Sequence, residues 1–311
     1  MAQAKGANAY IAYCEEDTWG TTPASPTMRQ LKALTYGESF GSTVEEVVSN
    51  AVNGSRVVES VRGGNIDVAG ELPIELPLLG IGTLLKHAIG KAVTTGAGPY
   101  THTLTRGPLP AGLTIEKAFP DLGRFLRFRG FRVGRLSLQV GNQGLITGSI
   151  QGTAKDETSA TVSLGNPTGA QHVPFMHHEA SLKEAGSEAR VASFSLELTN
   201  ELEAVRPAGS RVVTALNEGK GHCTGAITYL FDSDAHYQKW LTEQPTRLQL
   251  TLTSTDGSIE FDLPNVVYTG DATPKISTAQ GLVVALKWRA VKDSVSGSDL
   301  IVRLVNSEAT V

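Results

Sequence analysis

The sequence predicts a mostly β protein made of two tandem sandwich-like units, half-barrels in effect, each carrying one short α-helix. Three observations predict it. Short runs alternate apolar and polar residues, glycine-bearing turns separate them, and a pattern of residues recurs half a chain away.

The alternation is plain in Leu136-Ser137-Leu138-Gln139-Val140, in Phe194-Ser195-Leu196-Glu197-Leu198, in Leu248-Gln249-Leu250-Thr251-Leu252 and in Ile259-Glu260-Phe261-Asp262-Leu263. A period of two puts one face of each strand on a core and the other toward solvent or a neighbour. Gly141-Asn142 and Asp256-Gly257 are turn chemistry between such strands.

The recurrence has two anchors. Gly54-Ser55-Arg56-Val57-Val58 returns as Gly209-Ser210-Arg211-Val212-Val213, and Gly64 and Gly70 fall on Gly219 and Gly225 at the same spacing of 155. Residues 144–156 match 281–293 at a spacing of 137, and both runs end in Lys-Asp. The first copy then holds about eighteen extra residues, which the Gly, Pro and Thr content of 93–112 assigns to a long loop. Two ordered anchors point to a duplicated unit. The expected division is an N-terminal arm over 1–30, a first unit over 31–156, a linker or extended arm over 157–188 containing Pro167, Gly169 and Pro174, and a second unit over 189–311.

Each unit has one helical stretch. Over 79–89, Leu84, Leu85 and Ala88 share a face; over 235–242, Tyr237, Trp240 and Leu241 do, with Asp232, Ser233 or Asp234 as N-cap.

Composition narrows the function. With 311 residues, 40% of them hydrophobic and 19% charged, the chain can bury a large core. A net charge of −4 gives no electrostatic grip on nucleic acid, and a mildly acidic surface lets a polyanion pass. Cys14 and Cys223 lie in no CxxC pair and are expected as two reduced thiols. No apolar segment resembles a signal peptide or a membrane span, so the chain is expected to be soluble when made.

Three clusters invite a chemical reading. Arg124, Arg127, Arg129, Arg132 and Arg135 interleave with Phe125, Phe128 and Phe131. That pattern suits single-stranded nucleic acid, but in a strand it also buries the phenylalanines and leaves the arginines on a solvated or inter-subunit face. The acidic total favours the second reading. His177-His178-Glu179, with His172 upstream, lacks the helical HExxH spacing of a zinc site. Gly96-Ala97-Gly98 and Arg62-Gly63-Gly64 lead into no Lys-Ser/Thr pair. No catalytic residue, metal site or cofactor site is expected.

The ordered set Glu15-Glu16-Asp17-Thr18-Trp19-Gly20-Thr21-Thr22-Pro23, Arg62-Gly63-Gly64, Val68-Ala69-Gly70-Glu71-Leu72, Leu113-Thr114-Ile115-Glu116, Phe131-Arg132-Val133-Gly134, Gly297-Ser298-Asp299-Leu300 and Leu304-Val305-Asn306 resembles the tail tube proteins of bacteriophages with long, non-contractile tails. The resemblance implies a virion protein whose rings stack into a hollow tail through which DNA is ejected. It implies six β-sandwich units per ring around one inner β-barrel, supplied by six chains or by three duplicated ones. It further implies tail tip, tape measure and tail terminator proteins as partners, and assembly in the host cytoplasm. On this reading Arg124, Arg127, Arg129, Arg132, Arg135 and Trp19 are inter-subunit contacts. A flexible N-terminal segment and long loops would order only against a neighbouring ring, and the bore would be net-negative. The competing expectations are a carbohydrate-binding or adhesin-like β-sandwich, which the 6% aromatic content disfavours, and a secretion-system tube protein, whose chains are shorter.

Overall fold

The computed structural model describes residues 3–52, 54–168, 173–274 and 281–311. The fold is mostly β, as the alternation predicts, with large antiparallel sheets and two short helices. In chain order the first part contains β1 (Tyr10–Glu16), β2 (Arg29–Leu31), β3 (Gly41–Val48), β4 (Val61–Glu75), α1 (Ile81–Ile89), β5 (Gly90–Thr95), β6 (Tyr100–Arg106), β7 (Gly112–Phe119), β8 (Arg124–Val140), β9 (Thr147–Ala154) and β10 (Asp156–Ala160). Then follow β11 (Ala180–Glu184), β12 (Ser187–Glu188), β13 (Val191–Thr199), β14 (Glu203–Val205), β15 (Ala215–Asn217), β16 (His222–Leu230), α2 (Ala235–Leu241), β17 (Thr246–Ser254), β18 (Gly257–Thr269), β19 (Val283–Ala290) and β20 (Ile301–Asn306).

One pairing plan occurs twice. In the first part, β8 is long enough to serve two sheets. Its start lies between β7 and β10, and its end pairs with β9, which pairs with β4, which pairs with β3. In the second part, β18 does the same: its start lies between β17 and β20, and its end pairs with β19, then β16, then β13. β1 borders β7 as β11 borders β17. A helix follows β4 and β16 alike.

Two junctions join the parts. The end of β8 pairs with β13, from Val140 opposite Phe194 to Arg135 opposite Thr199. This makes one run of eight strands in the order β3-β4-β9-β8-β13-β16-β19-β18. On the other layer β6 pairs with β20. A single apolar core runs through both parts, with Phe128, Phe131, Tyr229, Phe261 and Trp288 among its largest members. The alternation explains it: Leu136, Leu138, Leu196, Leu198, Leu250, Leu252, Phe261 and Leu263 all point inward.

Three expectations change in detail. The 93–112 segment is not a loop: β5 and β6 form a hairpin there, because Thr94, Thr95, Thr101, Thr103 and Thr105 are β-branched residues that suit a strand, and Gly96 and Gly98 turn the chain with positive φ. The 157–188 segment supplies strand at both ends, β10 against β8 and β11 against β17. The spacing of 137 is one residue out. Ile150 lies opposite Leu72, and Leu286 lies opposite Ile227, so Leu286 and not the exposed Lys287 is the counterpart of Ile150. A one-residue slip would turn every side chain of β19 to the wrong face.

The helices differ in depth. α1 buries Leu84, Leu85 and Ala88 in the core. α2 has no buried residue; His236 stacks on Tyr229 with ring centroids 3.7 Å apart, and Lys239 reaches Glu184 at 2.9 Å. Cys14 and Cys223 are buried and unbridged, and burial pushes the Cys14 thiol up to about 12.

Candidate assembly interface

The eight-strand run has an unpaired edge at each end among the described residues, β3 on one side and the end of β18 on the other. Exposed strand edges carry unsatisfied amides and carbonyls and pair readily with another chain. β3 is exposed along nearly its whole length, and Val44, Val47 and Val48 lie at the surface.

One face of the run is apolar and buried, and the other is built mainly from hydroxyl, amide and charged side chains. Directly opposed residues place Gln151, Ser149 and Thr147 beside Arg135, Ser137 and Gln139. Glu197 and Ser195 continue the row to Thr224 and Ala226, then to Arg289 and Lys287. Ser137 and Ser149 share a hydrogen bond of 2.7 Å, and Ser193 donates to Thr228 at 3.0 Å.

The sequence-selected residues fall mainly on intrachain contacts. Trp19 donates its indole N–H to the Gly130 carbonyl at 2.8 Å, and Lys155 sits over its ring. Beside it the buried Glu16 carboxylate accepts from Gly20 N at 2.6 Å, Gly130 N at 2.8 Å and Thr114 Oγ1 at 2.7 Å. The opening motif therefore clamps the N-terminal strand to the bend of β8, where Gly130 has φ +69°. Phe128 and Phe131 point into the core, while Phe125 is buried on the opposite strand face, the one that carries Arg127 and Arg129. Arg129 forms a two-pronged pair with Asp156 at 2.8 and 2.7 Å, and Arg127 reaches the buried Glu116 at 3.1 Å. Arg132 donates to the Leu216 carbonyl at 2.8 Å and Arg135 to Glu197 at 3.3 Å, so these two bridge the halves of one chain. Arg124 is exposed at the start of β8.

Other clusters are structural. Glu179 accepts from Met176 N at 2.7 Å beside His177 and His178, while His172 lies outside the described residues. No group of three His, Cys, Asp or Glu residues is placed to hold a metal among the described residues. No described helix is long and apolar enough to cross a membrane.

Sequence inspection missed the loop between β13 and β16. There β14 and β15 form a small hairpin whose tip, Gly209 to Val213, leans across to the first half. Arg211 O accepts from Ile66 N at 2.8 Å, Arg211 Nε donates to Gly64 O at 2.8 Å, and Arg206 pairs with Asp67. The repeat of Gly-Ser-Arg-Val-Val was the available signal.

Open edges at both ends of one long sheet, with one polar face, are the features of a structural protein that assembles through its strands. The phage tail tube protein family model matches residues 6–290, and the chain belongs to that family. It is thus a structural component of the virion tail that self-assembles with other tail proteins into a tube. No curated protein matches the chain.

Proposed function

We propose that three chains close each ring, every chain supplying two of six equivalent units, and that the rings stack into the tail tube through which DNA leaves. The observation that carries this is the β8–β13 junction, a pairing of one unit with the next already made inside the chain. The same contact made between chains would join the end of β18 to β3 of a neighbour. Closing three runs of eight strands removes both open edges of each run.

The register follows from the internal junction. Thr269 lies opposite Lys287 in the position that Arg135 takes opposite Gln151. Thr43 lies opposite Asp67 as Thr199 lies opposite His222. Arg135 faces Thr199, so Thr269 faces the neighbour's Thr43.

The polar face of the run lines the bore. It carries Asp67, Glu71, Glu75 and Glu197 against Arg135, Lys287 and Arg289. Acidic groups slightly outnumber basic ones along these strands, and weak adhesion to DNA rests on that excess together with hydroxyl and amide side chains. Arg124 is left for ring-to-ring contact, with tail tip, tape measure and tail terminator proteins as the remaining partners and the host cytoplasm as the place of assembly. Negative-stain microscopy with mass measurement of the purified chain tests the ring. Rings or tubes with the mass of a trimer per layer support it; hexameric layers, or a monomer at every concentration, sink it.

A further inference from the structure

The Gly-Ser-Arg-Val-Val sequence occurs twice, and its two copies differ in their surroundings. Both begin with a glycine in the left-handed region, Gly54 at φ +70° and Gly209 at φ +93°.

In the second copy the motif is docked. Val213 is fully buried and Leu216 is 5% exposed. Arg211 bonds through both its carbonyl and its side chain to the backbone of β4, at Ile66 and Gly64. In the first copy the counterparts of those two apolar residues are Val58, 55% exposed, and Val61, 57% exposed. Arg56 is exposed as well.

The receiving surface is also duplicated. At the spacing of 155 that relates β4 to β16, Gly64 and Ile66 correspond to Gly219 and Gly221. In the first half the receiving site is covered by the loop just described. In the second half a groove of about 520 Å³ lies there, lined by Gly219, Gly221, His222 and Val291, with Arg106 and Leu109 of the first half forming part of its wall. Loop and groove sit on opposite ends of the eight-strand run, so they cannot meet within one chain and will meet between neighbours in a ring.

We infer that the Gly54-Ser55-Arg56-Val57-Val58 turn of one chain docks in the Gly219–Gly221 groove of the next copy, as a clasp that locks the ring. Arg56 O accepts from Gly221 N, Arg56 Nε donates to Gly219 O, and Val58 and Val61 bury against the neighbour. Because the bonds are to main chain, the receiving site can carry different side chains, Ile66 in one copy and Gly221 in the other. The contact is heterologous, each chain giving a clasp on one side and receiving one on the other, which closes only when the rotation does. The inference rests on the ring proposed above.

The test uses the full-length chain. Arg56→Glu should leave the melting temperature of the monomer unchanged and raise the concentration needed for half-maximal ring formation about tenfold or more, an effect of about 1.4 kcal/mol. Arg211→Glu should instead lower the monomer's melting temperature, by about 4 °C or more. Val57→Cys combined with Lys220→Cys, treated with a short bismaleimide, should give covalent dimers and trimers between chains, and either single variant none. Rings that form normally in Arg56→Glu, or ring preparations in which the double-cysteine chain yields no intermolecular product, overturn the clasp while leaving the ring intact. A wild-type chain that forms no ring at all removes both.

Discussion

Gly225 lies directly opposite Trp288 in the β16–β19 ladder, and the indole occupies the space where a Cβ on Gly225 would sit, with Ser195 O on the other side. In the first half Gly152 plays a comparable part: Phe131 and the Arg132 carbonyl fill the space beside it. Glycine is needed at these places for close approach of a large ring to the backbone.

Gly225→Ala should therefore overpack the second half. The expected loss is about 3 kcal/mol, at the upper end for an inserted methyl in a dense core. Chemical denaturation of the monomer measures it, and a change below the noise of the midpoint would contradict the packing described.

Glu16→Ala should cost about 3 kcal/mol, because it strands the buried amides of Gly20 and Gly130 and the Thr114 hydroxyl. The change should loosen residues up to Trp19 first. Faster hydrogen exchange in β1 than in β17 would show it.

Acid should weaken the second half through Glu184. Burial alone would raise its pKa, but hydrogen bonds from His236, Lys239 and Tyr268 hold it at about 2, against an ordinary 4.5. A depressed carboxylate contributes fully above pH 4.5 and loses its contribution as the pH falls toward 2. Melting temperature should drop across that window. Glu184→Gln should flatten this part of the profile and cost about 2 kcal/mol at neutral pH; an unchanged slope would refute the assignment.

Thr43→Cys with Thr269→Cys tests the ring register. Opposed strand residues lie about 5 Å apart at Cα, within disulfide range. Oxidation should yield a closed covalent trimer on non-reducing gels, and Thr43→Cys alone should remain monomeric. Hexamers or a random ladder would redirect the stoichiometry.

The insertion gives the internal junction something the junction between chains lacks. β6 staples the first half to β20 of the second. The counterpart contact has no such hairpin in the second half, where β16, α2 and β17 follow one another directly. In the ring proposed above, the chain would hold its own two halves more firmly than it holds a neighbour.

Period-two runs of Leu, Phe and Ile and glycine turns were enough by themselves to determine a β-rich chain and its buried faces, because these are local consequences of side-chain direction and backbone freedom. The partners of Arg127, Arg129 and Trp19, the one-residue shift that places Leu286 and not Lys287 inside, the hairpin hidden in 93–112 and the groove at Gly219 were decided only in three dimensions. Each depends on which strands lie side by side, and long-range pairing leaves no local trace in the order of residues.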